Sequence, residues 1–590
     1  MSGLQLQSIR CGAHRRLALA GVASTLVFVT AGITVAIAQE MASSAADPSG
    51  LVAPPHSGPM PPLPDIEPAA PPSAAPIPTT TAPSSASAPL DAAPRFVLTG
   101  FKVDGNTVLD EASIDAVIAP YLNKPVSIAD LEEMRRQLTL LYINRGYINS
   151  GVIVPDQDVA SGVVLFRAVE GRVTHVDIAG LDHFNADYLT QRLEQGLNTP
   201  FAVTDLEREQ QILLQDPLIR RLNIEIQPGL VPGEATAHAT VDEASPYSLN
   251  FQIADNQSPT VGEVRGQVQG AVANLLGRDD VLSAQYGRSQ GLNDGAVSYS
   301  LPIGSDDTRL NLRYDINGTL VVSPALSPLQ ITSVYDSYSI GLSRPFYRTP
   351  EQNLTLSVSL EKRDAQSFLL GMPFSFTAGS DNGKSNVTAL RFSQDWADHN
   401  AEQAVSLRST FSLGLDALGA TMSQGGPSGT FFSWLGQGQY VHRIFDDWEG
   451  VVRSDLQLSD AQLFPIEQFA LGGIDTVRGY REYLTVTDDA FFASGELRIP
   501  VWKLRLPRLS DADGAGVVQF VPFYDYGRGW NVGRPTPYPA DISSAGGGFR
   551  WAVGSGITLE LYYGKALRHV DVGTSLQDRG IHFRFTMAAF

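Results

Sequence analysis

Cysteine is almost absent from this 590-residue chain, whose single example is Cys11. A disulfide needs two thiols, and Cys11 falls in a segment that we expect to be removed, so the mature chain should contain no disulfide and no thiolate metal site. Positive charge is also scarce, because 42 Lys and Arg stand against 62 Asp and Glu, for a formal net charge of -20. Nucleic-acid binding requires a basic surface, so we expect no nucleic-acid partner.

Catalytic motifs are missing as well. The sequence contains no nucleophile elbow, no phosphate-binding loop and no zinc-ligand spacing. His175, His183 and His238 have no matching serine or metal-ligand spacing, which favours ordinary surface histidines. We therefore predict no catalytic residue, no cofactor and no bound metal, and expect that the protein is not an enzyme.

Long apolar runs are confined to the N-terminus. Arg15 and Arg16 precede an uncharged apolar stretch, residues 17–38, which ends in small residues typical of a signal-peptide cleavage site. Residues 1–38 are thus predicted to be a signal peptide, although the run is also long enough for a retained transmembrane anchor. Because no second run of this kind follows, any membrane domain must be a β-barrel. Residues 39–94 are rich in Pro, Ala and Ser and are predicted to be a disordered linker.

The next two segments, residues 95–171 and 172–244, repeat one order of elements: strand, helix, helix, strand, strand (βααββ). In the first segment Ser127, followed three residues later by an acidic residue, predicts a capped second helix. In the second segment Thr204 and Glu207 predict a capping box for the corresponding helix. An internal repeat of about 75 residues indicates two copies of one domain.

From residue 245 to 590 the apolar residues recur with a period of two, as in 309–316. A soluble β-sandwich could give this alternation, but the connections between strands distinguish the two folds. Short connections such as 274–278 alternate with long ones such as 364–385 and 459–487. This alternation is typical of outer-membrane barrels, whose periplasmic turns are short and whose external loops are long. With about sixteen strands, the segment is predicted to be a 16-stranded antiparallel transmembrane β-barrel.

Two short motifs lie in the predicted barrel, one in an external loop between the eleventh and twelfth strands and one on the thirteenth strand. They are Val477-Arg478-Gly479-Tyr480 in the loop and Phe523-Tyr524-Asp525-Tyr526-Gly527 in the strand. Strand alternation turns the tyrosines of the second motif outward and therefore places Asp525 in the lumen. If the loop folds inward, Arg478 can bind Asp525 through a charge-assisted hydrogen bond, and Gly479 and Gly527 allow close approach. The alternative is an ordinary surface loop and a solvated lumen carboxylate.

The first motif resembles the V-R-G-Y loop motif, and the second the F-x-D-x-G strand motif, of bacterial outer-membrane barrels that carry periplasmic POTRA domains. The two βααββ repeats resemble POTRA domains. From about Pro94 to Phe590 the chain resembles TpsB-type transporters of two-partner (type V) secretion, the haemolysin secretion/activation family. This resemblance implies two α+β POTRA repeats in the periplasm and a barrel in the bacterial outer membrane.

The resemblance also implies a function and a set of partners. The expected function is export of an unfolded, periplasmic partner exoprotein, with outer-membrane lipid, periplasmic chaperones and the barrel-assembly machinery as further partners. We expect the POTRA units to capture the exoprotein by adding its strand to a sheet edge; a rigid spacer is the simpler role. A barrel-assembly factor is the alternative function within the superfamily, and a passive porin is the alternative outside it.

Overall fold

The computed structural model describes residues 96–445, 447–506, 515–554, 556–570 and 573–589. The predicted signal peptide (residues 1–38) and linker (residues 39–94) lie outside the described residues. None of the helices in the described ranges is long and apolar enough to cross a membrane.

The first repeat is an α+β unit in which two helices pack on a small sheet. Its elements are β1 (Phe96–Val97), β2 (Gly100–Asp104), α1 (Glu111–Ile118), β3 (Pro125–Val126), α2 (Ile128–Asn144), β4 (Gly151–Ile153) and β5 (Val163–Val169). Strand β5 lies between β2, to which it is parallel, and β4, to which it is antiparallel, while β1 pairs with β3. Met134, Tyr142 and Phe166 are fully buried in the core between helices and sheet.

Side-chain caps begin both helices of this repeat. The Asp110 carboxylate accepts a hydrogen bond from the Ser113 backbone N–H at 2.7 Å, at the start of α1. Ser127 and Asp130 form a reciprocal capping box at the start of α2, at the position that the sequence indicates. These contacts satisfy N–H groups that the first helical turn leaves without backbone partners.

The second repeat has the same arrangement. Its elements are β6 (Arg172–Ala179), α3 (Ala186–Leu193), α4 (Val203–Leu213), β7 (Ile219–Pro228) and β8 (Glu234–Glu243). Strand β8 is central, parallel to β6 and antiparallel to β7. Phe184, Leu213 and Leu222 are among the residues of its buried core. Both repeats therefore have a helical pair on one face of a three-stranded sheet whose last strand in sequence pairs in parallel with its first.

The capping box predicted at Thr204 is wrong. Helix α4 begins at Val203 after Ala202, with no side-chain cap, so Thr204 is already inside the helix. Tertiary contacts set this start instead, because the Val203 N–H donates to the Gly146 carbonyl oxygen of the first repeat at 3.1 Å. The neighbouring Phe201 is fully buried. Packing between the repeats thus overrides the local capping preference.

Sixteen long antiparallel strands form a closed barrel, as the sequence predicts. They are β9 (Tyr247–Ala254), β10 (Arg265–Ala273), β11 (Val281–Arg288), β12 (Leu292–Pro302), β13 (Arg309–Leu320), β14 (Thr332–Arg348), β15 (Gln352–Leu369), β17 (Val387–His399), β18 (Gln403–Gly414), β19 (Phe432–Phe445), β20 (Trp448–Ser459), β23 (Asp489–Lys503), β24 (Val517–Trp530), β25 (Asp541–Ala552), β26 (Ile557–Ala566) and β27 (Ile581–Ala588). The two-residue β16 (Met372–Pro373) pairs with the end of β15. Among the described strands, the short β21 (Phe469–Leu471) and β22 (Thr485–Thr487) pair only with each other. Strand β27 pairs with β9 and closes the barrel.

The second repeat contacts the turns at one end of the barrel. The Asn185 N–H donates to the Gly277 carbonyl oxygen at 2.8 Å, and the Gln215 amide donates to the Pro350 carbonyl oxygen at 2.6 Å. Arg192 of the repeat and Arg348 of β14 both bind Asp307. Because the repeats precede the barrel in sequence and bind these short turns, this end is the periplasmic end and the loops at the other end are external.

Candidate functional site

A long external loop, residues 460–488, folds into the barrel. It connects β20 to β23, the eleventh and twelfth long strands, and carries the β21–β22 ribbon. Leu463, Phe469 and Val477 of the loop are almost completely buried. Their packing partners include inward-facing residues of the barrel strands, so the loop occupies the lumen.

Arg478 lies near the tip of this loop and binds Asp525 of β24, the thirteenth long strand. Its Nε is 2.8 Å from Asp525 Oδ2 and its Nη2 is 2.9 Å from Oδ1, which makes the contact bidentate. The backbone N–H of Arg478 donates a third hydrogen bond to Oδ2 at 3.0 Å. Arg478 is 1% exposed and Asp525 is 0% exposed, so the pair is removed from solvent. Because the pair is buried, removing either partner would leave an uncompensated charge and would be strongly destabilising.

Strand β23 supplies two more partners of the guanidinium. Arg478 Nη1 is 2.9 Å from Glu496 Oε2, and Nη2 donates to the Ser494 hydroxyl at 3.1 Å. The Ser494 hydroxyl in turn donates to Asp525 Oδ1 at 2.6 Å. Arg498 binds the other oxygen of Glu496 at 3.1 Å, so two arginines balance two carboxylates. All the hydrogen-bonding groups of this cluster face the lumen side of β23 and β24.

Aromatic rings cover the remaining surface of the guanidinium. The Arg478 Cζ atom lies 3.7 Å from the ring centroid of Phe523 and 5.0 Å from that of Tyr562. A planar guanidinium can stack on a ring while its edge donates hydrogen bonds, whereas a lysine ammonium cannot do both. The geometry therefore selects arginine at this position.

Glycines allow the loop tip to approach the wall. Gly479 has φ +90°, and a Cβ atom there would lie 2.7 Å from the Gly564 carbonyl oxygen of β26. The Gly479 N–H donates to His582 Nε2 at 3.0 Å. A Cβ at Gly527 would lie 2.9 Å from side-chain atoms of Leu471 and Val477. Larger residues at either glycine would separate the loop from the strands.

Tyr480 attaches the tip to a second part of the external surface. Its hydroxyl lies 2.9 Å from the Ser543 carbonyl oxygen and accepts the Arg568 N–H at 3.1 Å. Ser543 belongs to β25, and Arg568 lies in the loop that follows β26. The tip therefore contacts five adjoining strands, β23 to β27, and one neighbouring loop.

The structure thus brings the two sequence motifs into contact, with the loop motif packed on the strand motif. Sequence reasoning did not single out Ser494, Glu496 or His582. Ser494 pairs with Asp525 in the β23–β24 register, and Glu496 pairs with Phe523. The strand register is what shows that two polar residues of β23 share one arginine. This register cannot be read from a single sequence.

The chain has two POTRA-like units at the periplasmic end of a closed barrel, and a loop is inserted into that barrel. This arrangement defines an outer-membrane transporter with periplasmic recognition domains. Residues 96–171 match the POTRA domain of the ShlB type. Residues 233–551 match the family described as haemolysin secretion/activation protein ShlB/FhaC/HecB. That match covers more than half of the chain, which therefore belongs to the ShlB/FhaC/HecB family.

Characterised relatives share this class. The chain is 24% identical over 427 residues to the outer membrane transporter CdiB of Dickeya dadantii (strain 3937), covering 70% of this chain and 74% of that protein. It is 21% identical over 444 residues to the heme/hemopexin transporter protein HuxB of Haemophilus influenzae (strain 86-028NP), covering 70% and 72%. The solved structure of CdiB from Escherichia coli has the same fold, with a TM-score of 0.62 and 21% identity over 86% of this chain and 93% of that chain.

These matches confirm three predictions from the sequence: the POTRA-plus-barrel fold, the outer-membrane location with the POTRA units in the periplasm, and the two-partner secretion class. The protein is a two-partner secretion transporter, a class that acts on secreted partner proteins.

Proposed function

We propose that this protein carries an unfolded partner exoprotein from the periplasm through its barrel, and that the loop 460–488 moves to let it pass. The buried Arg478–Asp525 pair is the observation that carries this proposal. A loop folded into the lumen narrows the channel, so a client can pass only after the loop shifts. The contacts that hold it are hydrogen bonds and an ion pair, which can break and form again without chemical change.

The POTRA units receive the client in this proposal. In the second repeat, β6 and β7 each pair only with β8 among the described strands, so each leaves one edge available to an added strand. An unfolded segment can bind such an edge through its backbone, with little dependence on its sequence. The second repeat is also bound to the periplasmic turns, which supports delivery of a captured segment to the entrance of the barrel.

No covalent step is required for this export. We propose that folding of the client outside the cell supplies the driving force, with no catalytic residue, cofactor or metal in the transporter. Outer-membrane lipid surrounds the barrel, and periplasmic chaperones and the barrel-assembly machinery serve the client and the barrel before transport.

The proposal is tested by complementing a deletion strain with variants of this gene and measuring the exoprotein in the culture medium. Arg478→Ala should leave the amount and heat-modifiable gel mobility of the barrel unchanged and reduce export at least tenfold. Arg313→Ala is the matched control, because the described hydrogen bonds of the Arg313 guanidinium go to Asp315 of its own strand. Undiminished export by Arg478→Ala would contradict the proposed role of the loop.

A further inference from the structure

The arm of the loop that leads to its tip is held at a different part of the barrel wall. Glu467 ends a short 3-10 turn, Pro465–Glu467, and is 2% exposed. Its two carboxylate oxygens lie 2.8 and 2.9 Å from Nη2 of Arg391 on β17. Arg363 of β15 donates to the same carboxylate at 3.2 Å and to the Ile466 carbonyl oxygen at 2.7 Å.

A second carboxylate completes this cluster. Glu361 of β15 accepts hydrogen bonds from Arg391 Nε at 2.7 Å and from Arg363 Nε at 3.0 Å. Two arginines therefore face two glutamates, and only Glu467 comes from the loop. If Glu467 were withdrawn, the two inward-facing arginines would keep one carboxylate between them. Removing one member of a buried ionic cluster is costly because the remaining charges lose their partner.

Apolar packing supports the same arm. The residues that pack together here are Leu463, Phe464 and Ile466 from the arm with Tyr335, Ala365, Val387, Ala389 and Phe431 from the barrel and a neighbouring loop. Leu463, Phe464 and Ile466 are each 0–1% exposed. The apolar neighbours of the Arg478 cluster belong to other groups of buried residues.

The two ends of the loop reach parts of the barrel that lie far apart. Arg391 stands on the eighth long strand, whereas Asp525 stands on the thirteenth. Asp475 of the tip binds Arg584 of the sixteenth strand at 2.7 Å, half way round the barrel from Arg391. The loop therefore bridges the lumen from wall to wall. Contacts that share no partner and lie more than about 10 Å apart contribute to stability almost independently.

We infer that Glu467 is a second anchor of the loop, a positioning residue that holds the arm across the lumen independently of Arg478. Release of the tip, where Arg478 is the central contact, leaves the arm in the channel, so full opening requires release at both walls. This inference deepens the proposed function, because it assumes that the loop is the part that moves. It assigns to Arg363 and Arg391 the role of holding the loop carboxylate.

Thiol labelling can follow the two anchors separately, because the chain has a single cysteine. In a Cys11→Ser background, Leu463→Cys reports on the arm and Ile474→Cys reports on the tip, and both positions are buried. Each reporter is combined with Glu467→Gln or Arg478→Ala in full-length protein in outer membranes. The rate of labelling by a membrane-impermeant maleimide is then measured without any client.

Glu467→Gln should increase labelling at position 463 about tenfold or more, and labelling at position 474 less than about twofold. Arg478→Ala should give the reverse. Glu402→Gln, in an exposed periplasmic turn, is the matched control and should change neither rate. If Glu467→Gln prevents barrel formation, Arg391→Gln takes its place with the same expected result.

Equal increases at both reporters with either variant would show one cooperative loop and overturn the inference. An unchanged rate at position 463 in Glu467→Gln would overturn it as well. Because labelling requires no client, this outcome is distinguishable from failure of the proposed function, which is read only from export by Arg478→Ala.

Discussion

The Arg478 guanidinium donates to three acceptors while its face lies on a phenylalanine ring. Asp525, Glu496 and Ser494 accept its hydrogen bonds, and Phe523 lies 3.7 Å from its carbon. The shape of the side chain matters here as much as its charge. A lysine would retain the charge but would lose the bidentate contact and the stacking.

Arg478→Lys is therefore expected to reduce export nearly as much as Arg478→Ala, although the net charge of the lumen stays the same. The ammonium cannot bind Asp525 through two parallel hydrogen bonds and reach Glu496 at the same time. Export is measured by the exoprotein in the medium, normalised to the amount of folded barrel. Wild-type export by Arg478→Lys would show that charge alone suffices.

Gly479→Ala should also impair export while leaving the barrel folded. The added Cβ would meet the Gly564 carbonyl oxygen at 2.7 Å, and alanine is strained at φ +90°. The expected readout is increased thiol labelling at the loop tip together with reduced export. Gly495→Ala is the matched control, because a Cβ there has no atom within 4 Å. Equal effects of the two substitutions would contradict this explanation.

The sequence predicts some of these residues and misses others for a physical reason. Strand alternation alone places Asp525 in the lumen, and the loop motif identifies Arg478. Glu496 and Glu467 cannot be found in this way, because each acts on residues distant in the chain. Their partners depend on strand register and on where a long loop crosses the barrel, and neither is encoded in a local pattern.

Among the secondary-structure elements, α1 of the first repeat offers a test outside the membrane. Hydrogen bonds from the Ser113 backbone, the Ser113 hydroxyl and Arg145 lower the pKa of the Asp110 carboxyl to about 2 from 3.8. A lowered pKa in the folded state means that the charged cap stabilises the helix fully above pH 3.8. This contribution is lost as the pH falls through about 2.

Hydrogen exchange of residues 111–118 should therefore show more protection in the wild type than in Asp110→Asn at pH 5. Most of the difference should be lost between about pH 4 and pH 2, because asparagine still caps the helix but does not titrate. The comparison at each pH cancels the intrinsic effect of pH on exchange. A difference undiminished at pH 2 would rule out the carboxylate as its source.

The type of a secondary-structure element is predicted well where the environment imposes a period on the apolar residues. The boundary of an element is predicted poorly where packing sets it. The alternation of lipid-facing and lumen-facing residues predicts the sixteen strands, and apolar residues at helical spacing predict α2. The start of α4 is missed because its first N–H group binds Gly146 of the other repeat. A local capping rule contains no information about that contact.

For the whole molecule, the junction between the second repeat and the barrel decides how the periplasmic part is oriented. Asp307, in a periplasmic turn, binds Arg192 of α3 and Arg348 of β14. Arg192 also lies 3.5 Å from Glu209 of α4, and burial raises the pKa of the Glu209 carboxyl. No local pattern in the sequence indicates this junction, because its residues come from four separated segments.

Asp307→Ala should loosen the second repeat from the barrel, because two largely buried arginines lose a shared carboxylate. The expected result is faster hydrogen exchange in α3, with unchanged exchange in the barrel strands. Asp306→Ala is the matched control, because the adjacent Asp306 is exposed and its described partners, Arg344 and the Thr308 backbone N–H, both belong to the barrel. Unchanged exchange in α3 would contradict a stabilising role for Asp307.

The central claim is that this protein is a dedicated exporter of a partner exoprotein. The most direct test deletes its gene in the host and quantifies the proteins of the culture medium and of the outer membrane. We predict the loss of one or two large secreted proteins from the medium, with other outer-membrane barrels unchanged and secretion restored by the wild-type gene. A broad decrease of outer-membrane barrels would contradict the claim and would identify an assembly factor instead.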